Sequence, residues 1–251
     1  MKYFLGWLVA LLLAGCVSSG HTAEQLSGER AHKSAKVHTE LAGLYFERAQ
    51  MGIALSEVDL ALKAVPDYAP AFNMRGLIHM SLREDKEAAQ DFQQSLRLDP
   101  ADSEANNNYG WFLCQRGREA ESIKHFMAAV KNPLYTTPEL AYLNAGLCSQ
   151  KAGNARDAEE FLQRALSLQP ELLQALQAMA ELKFADGDHQ AAKRYFERYV
   201  QKNDNLTPAQ LWLAVRIERG AGDRDAEASY ALKLRERYPD ARETQLLMHG
   251  E

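Results

Sequence analysis

Small residues recur along this chain at a nearly fixed interval, and that interval limits the fold more than any other feature. Ala54, Ala88, Ser122, Ala158 and Ala192 stand 34, 34, 36 and 34 residues apart. Four residues after each comes a large apolar side chain (Val58, Phe92, Phe126, Leu162, Phe196), and twelve before each comes another small one (Ala42, Gly76, Gly110, Gly146, Ala180). Three columns in one register mean a supersecondary unit that is repeated and stacked, because a single unit cannot bury its own apolar face. The offset of four puts the small and the large residue on one face of a helix. Pro66, Pro100 and Pro170 keep the same beat and close helices before the next unit begins. No sustained period-2 alternation bounded by turn residues occurs, so the fold class is all-α.

A 34-residue helix–turn–helix period is that of the tetratricopeptide repeat. The expected architecture is a right-handed superhelix of about six such helix pairs, near residues 35–68, 69–102, 103–136, 139–172, 173–206 and 207–240. A short capping helix is expected over Thr244 to Met248. The sixth pair is the weakest. Ala214, Ala226 and Tyr230 continue its columns, but Pro239 falls one residue late and the turn Gly220-Ala221-Gly222 reads as loose. The two extra residues of the longer interval are expected in Asn132-Pro133-Leu134-Tyr135-Thr136-Thr137-Pro138, where two prolines interrupt helix. Gly or Ala of each first helix is expected against the small residue of the second, with the large apolar residue filling the layer toward the next repeat.

Ahead of the repeats, Lys2 precedes an apolar run from Tyr3 to Leu13, too short to span a bilayer, which takes about 20 residues. The run ends in Leu13-Ala14-Gly15-Cys16, which resembles a bacterial lipobox. That resemblance implies a signal peptide over 1–15 and a diacylglycerol thioether on Cys16; the plainer alternative is an ordinary signal peptide with an incidental cysteine. Acyl chains contribute about 0.8 kcal/mol per buried methylene, enough for several chains to hold a protein at a membrane. Val17 stands where enteric lipoproteins retained at the inner membrane carry aspartate, so the outer membrane is favoured, on its periplasmic face. Residues 16–34, rich in Ser, Gly, His, Glu and Gln, are expected to be a flexible tether, and 35–251 the repeat domain.

Composition excludes several classes. The formal charge of −5 is spread over interspersed acids and bases, leaving no basic stripe for nucleic acid. None of the histidines, His21, His32, His38, His79, His125, His189 and His249, has metal-ligand spacing. His38 and His79 fall in core columns of the repeat, and no nucleophile elbow or phosphate loop occurs. Asp186-Gly187-Asp188 and Asp223-Arg224-Asp225-Ala226-Glu227 fall at helix-to-helix turns, where capping carboxylates are the simpler reading than a metal site. No enzyme activity, metal, cofactor or small-molecule substrate is expected.

A binding surface remains. Positions two, five, nine and twelve of each first helix share a face and line the concave groove of such stacks. They supply Phe46 in repeat one, Asn73, Leu77 and Met80 in repeat two, Asn107 and Trp111 in repeat three, and Leu143 and Leu147 in repeat four. An apolar groove edged by amides suits an amphipathic helix or an extended peptide, with Trp111 as the candidate anchor. The plain alternative for any one of them is packing within the superhelix. With Thr39 and Gly43 at groove places in repeat one, a basic clamp for a peptide carboxylate is disfavoured. The frame also sets Cys114 and Cys148 near the ends of adjacent first helices, within reach of a disulfide, although two buried small hydrophobes remain the alternative.

Longer stretches are more specific. Asn106-Asn107-Asn108-Tyr109-Gly110-Trp111-Phe112-Leu113-Cys114, Asn132-Pro133-Leu134-Tyr135 and Leu143-Asn144-Ala145-Gly146-Leu147-Cys148 resemble the type IV pilus biogenesis and stability lipoproteins of the PilF/PilW family. The segment from Ala214 to Pro239 is similar too. The resemblance covers the lipobox and nearly all of the repeats. It implies six repeats, a Cys114–Cys148 disulfide and an outer-membrane pilotin, which binds the pilus secretin and promotes its localisation and multimerisation. The competing expectation is a repeat lipoprotein adaptor that gathers envelope enzymes such as peptidoglycan hydrolases.

Overall fold

A computed structural model describes residues 23–250. The expected leader and Cys16 lie outside the described residues. Those described form thirteen helices and no strand, in two compact units, residues 23–98 and 99–250. The sequence frame reads one continuous domain from residue 35. In a stack each pair meets only its neighbours, so packing is local and a chain of pairs can divide into compact groups. A locally closed turn marks the boundary, with Asp99 Oδ1 accepting from the Ala101 amide at 3.1 Å.

The first unit holds two helix pairs: α1 (Ala23–Glu47) with α2 (Met51–Ala64), and α3 (Ala69–Leu82) with α4 (Asp85–Leu98). Its core is built from Ala35, Ala42, Ala54, Val58, Ala61, Val65, Ala71 and Ile78, of which Ala42, Ala54 and Val58 are column positions read from the sequence. The first helix starts at Ala23 and not at 35, so the expected tether is helical over residues 23–34. Ala31 packs against the core, Ala35 is fully buried, and His32 sets its ring edge-on to Tyr68. These contacts give the helix a tertiary reason to persist where composition alone reads as linker.

The second unit holds four pairs and a cap: α5 (Ser103–Gln115) with α6 (Glu119–Ala129), α7 (Pro138–Lys151) with α8 (Ala155–Leu168), α9 (Leu173–Ala185) with α10 (His189–Val200), α11 (Pro208–Ala221) with α12 (Arg224–Arg237), and α13 (Arg242–His249). The pair count, the cap and the longer turn between Ala129 and Pro138 stand where the frame puts them. The cap is fixed by Thr244, whose buried hydroxyl donates to the Tyr238 carbonyl at 2.6 Å, while the Tyr238 hydroxyl reaches the Leu206 carbonyl at 2.9 Å.

The glycine column has a sharper cause than expected. A Cβ on Gly146 would stand 2.7 Å from Leu162 Cγ and 3.3 Å from the Ala158 carbonyl oxygen; on Gly110 it would meet the Phe126 ring at 2.8 Å, and on Gly76 the Phe92 ring at 2.8 Å. In these three pairs the large residue of the second helix therefore covers the glycine of its own pair and does not simply fill the layer toward the next. Each such residue is fully buried, worth about 1.5–3 kcal/mol in transfer free energy. The turn at 220–222 is also tighter than it reads. Helix α11 runs through Gly220, where a Cβ would lie 2.5 Å from the His189 ring, and Gly222 closes it at φ +81°.

Candidate functional site

The first helices of the second unit carry the candidate site. Helix α5 contributes Trp111, α7 contributes Leu143, Asn144 and Leu147, and α9 contributes Gln174, Gln177, Ala178 and Glu181 to a cleft of about 280 Å³. Leu143 is only 3% exposed and forms the floor. Trp111 and Leu147 are half-buried, leaving apolar surface for a ligand. Asn107 lies beneath the cleft: it is 8% exposed, and its Oδ1 accepts from Asn144 Nδ2 at 3.0 Å. It positions Asn144, which is the amide that reaches the cleft.

Behind Trp111 the helices are joined covalently. Cys114 and Cys148 form a disulfide with Cα atoms 5.8 Å apart, and Ser122 Oγ lies 3.0 Å from the Cys148 sulfur. Lys151 Nζ donates to the Cys114 carbonyl at 2.9 Å. The α5–α7 wall of the cleft is thus fixed at one end by a bond and a charge-assisted hydrogen bond.

The amides continue along the unit. Gln210 on α11 donates to Gln177 at 2.9 Å and to the Tyr199 hydroxyl at 2.7 Å, and Gln177 donates to Glu181 at 2.8 Å. Gln177, Glu181 and Gln210, with Thr207, Ala209, Leu213 and Arg216, line a neighbouring cleft of about 230 Å³. The sequence frame places none of Asn144, Gln174, Gln177, Glu181 or Arg216 in the groove of the early repeats. The 3-4-3 spacing, carried on to α9, finds Gln174, Gln177 and Glu181. In α11 it fails, because Leu211, Val215 and Glu218 stand at those places and are buried.

Phe46, Asn73, Leu77 and Met80 belong to the first unit and are half-buried. Phe46 packs against that unit's core, so it takes the packing alternative. None of the four lines the cleft of about 320 Å³ found there, whose walls are Leu55, Asp59, Arg75, His79, Glu87, Gln90 and Asp91. Arg75 forms a two-pronged pair with Asp91 at 2.8 and 2.7 Å, and that hydrogen bond raises the guanidinium pKa. His79 contacts Glu84 at 2.5 Å, and His38 contacts Glu57 at 2.7 Å, as structural histidines in core columns do. The acidic turns are caps: Asp188 accepts from the Ala191 amide at 2.9 Å and Asp223 from the Ala226 amide at 3.0 Å.

Apolar surface bordered by amides and one carboxylate suits recognition of a polypeptide, which offers side chains to the first and main-chain groups to the second. Comparison with known proteins agrees with the repeat architecture. Tetratricopeptide repeat models match residues 69–102, 92–124, 140–172 and 174–205. The chain is 26% identical to the type IV pilus assembly protein PilF of Pseudomonas aeruginosa over 96% of its own length and 95% of the relative's. The crystal structure of PilW, a widely conserved type IV pilus biogenesis factor, is 34% identical and superposes with a TM-score of 0.78, covering 85% of this chain and 98% of that one. The solved structure of Pseudomonas aeruginosa PilF gives a TM-score of 0.81 at 24% identity, covering 88% and 99%, which shows a shared fold.

Proposed function

Since the chain belongs to the tetratricopeptide family of type IV pilus biogenesis proteins that includes PilF and PilW, we propose that it is an outer-membrane pilotin lipoprotein that binds the pilus secretin. The observation that carries this reading is the 34% identity to PilW across 98% of that chain. In this reading the protein binds and does not catalyse. Acylated Cys16 supplies the membrane address, and the Trp111 cleft holds a segment of the secretin subunit. Joining a modest binding site to an anchor raises the effective concentration of cargo at the surface where it must assemble. The Cys114–Cys148 bond forms in the oxidising envelope and keeps the α5–α7 wall rigid.

Replacing Cys16 by Ser separates the two functions. The variant is expected to fold and to bind, yet to leave the secretin monomeric or misplaced in fractionated membranes. Normal secretin multimers in the outer membrane with Cys16→Ser as the sole copy would overturn the anchor role. Capture of a peptidoglycan hydrolase, and not of the secretin, by the purified protein would favour the adaptor instead.

A further inference from the structure

Most partly buried cations in this protein are neutralised by a carboxylate. Lys183 meets Glu159 at 2.6 Å, Lys193 meets both Glu218 and Asp223 at 2.7 Å, and Arg75 meets Asp91 at 2.7 Å. Arg216 is different. It is half-buried on α11, its Nε is sealed from solvent and bonds nothing, and it has no ion pair among the described residues. Its guanidinium lies 4.8 Å from the Phe184 ring centroid and 5.6 Å from that of Trp212, so two aromatic rings hold the fork in place. Burial pushes its pKa down from the ordinary guanidinium range with no carboxylate offsetting it, though an arginine stays charged at neutral pH. The side chain lines the cleft of about 230 Å³ between α9 and α11. The acid in that cleft, Glu181, is hydrogen-bonded by Gln177.

A half-buried charge without a partner is destabilising, and a carboxylate entering the cleft removes that cost while gaining charge-assisted hydrogen bonds. We infer that Arg216 is the anion subsite of the peptide groove, taking a carboxylate of the bound partner segment, either an Asp or Glu side chain or a free C-terminus. This deepens the reading of the unit as a peptide-binding surface and rests on it. Phe184 and Trp212 orient the fork, Leu213 gives apolar contact beside it, and the Gln177–Gln210 amide pair lies alongside for main-chain groups. Thr39 and Gly43 hold the groove places of the first pair, whereas this cation stands in the sixth. Partner recognition therefore has an apolar end at Trp111 and an acidic requirement at Arg216.

The test uses the full-length protein in detergent and synthetic octapeptide libraries. One library has free C-termini and no internal acids, a second is C-terminally amidated with Asp and Glu allowed, and a third is amidated and acid-free. Retention of the first or second library at least tenfold above the third is expected, and whichever is retained identifies the carboxylate source. Arg216→Gln should lower that retention about tenfold, with Arg216→Lys intermediate, while the thermal midpoint of both variants stays near that of the parent. Equal retention of the acid-free library, no retention of any library, or undiminished retention by Arg216→Gln would overturn the subsite. Because the secretin is absent from this assay, its result is independent of whether the secretin is the natural partner. Trp111→Ala, run in parallel, reports on the groove itself: loss of all peptides there, with the carboxylate preference unaltered by Arg216→Gln, would sink the subsite alone.

Discussion

Gly146→Ala is the most exacting probe of how the helix pairs are held together. On an open helix the change adds about 1 kcal/mol of stability, because glycine is a poor helix former. Here the new methyl would lie 2.7 Å from Leu162 Cγ, a branch carbon of a fully buried side chain, and 3.3 Å from the Ala158 carbonyl oxygen. Neither neighbour is the loose end of a flexible chain, so relief requires α7 and α8 to separate. Overpacking of this kind costs about 1–3 kcal/mol, which leaves a net loss of up to about 2 kcal/mol after the propensity gain. For a chain of this size that lowers the thermal midpoint by up to roughly 8 °C. Gly28→Ala, where nothing lies within 4 Å, is the matched control and should be neutral or stabilising. Urea unfolding followed by circular dichroism measures both. Leu162→Ala in the Gly146→Ala background should cost less than in the parent by about 1–2 kcal/mol, since the methyl then fills space that leucine vacates. If Gly146→Ala proved as stable as Gly28→Ala, the account of the glycine column would be wrong.

Three further outcomes follow from the second unit. Lys193→Met strands the buried carboxylate of Glu218 and should destabilise by about 3–5 kcal/mol, with Lys193→Met/Glu218→Met recovering most of it; a loss under 1 kcal/mol in the single variant would contradict the pairing. Cys114→Ala/Cys148→Ala opens a crosslink spanning 34 residues and should cost about 3–4 kcal/mol in oxidising buffer and nothing once the parent is reduced, read as a shift in urea midpoint. Burial lowers the pKa of His125, whose Nδ1 lies 3.0 Å from Asn106 Oδ1. The unfolded chain therefore takes up that proton first, so stability is complete above the ordinary imidazole value of about 6.5 and falls as pH drops below it. His125→Asn should flatten that slope between pH 7 and 5, and an unchanged slope would reject the assignment.

The fold was legible because its columns are steric. Gly76, Gly110 and Gly146 are glycines since a second helix lays Phe92, Phe126 or Leu162 on them, and that demand recurs in three successive pairs. The added residues between Ser122 and Ala158 show in the same way, as a break in the beat. Helix α1 was harder to read ahead of residue 35, because only small residues, Ala31 and Ala35, turn toward the core there, while Ser, Gly and His dominate the rest. Of the site, Trp111, Leu143 and Leu147 come together as the 3-4-3 spacing predicts, but Asn107 is a support under Asn144 and Phe46 is packing. Arg216 stands off the groove frame for a physical reason. In α11 the expected groove positions are buried, Leu211 and Val215 among apolar neighbours and Glu218 as the partner of Lys193, so the lining falls to Gln210, Leu213 and Arg216.

The central claim, that the cleft at Trp111 receives the pilus secretin, is tested most directly in cells by photo-crosslinking. A photoreactive phenylalanine analogue in place of Trp111, in the full-length chain as sole copy, should give on irradiation an adduct containing the secretin subunit. The same analogue at Gln93, an exposed place on α4, should not. Adducts at Trp111 with another envelope protein and none with the secretin, in cells that still assemble pili, would contradict the account.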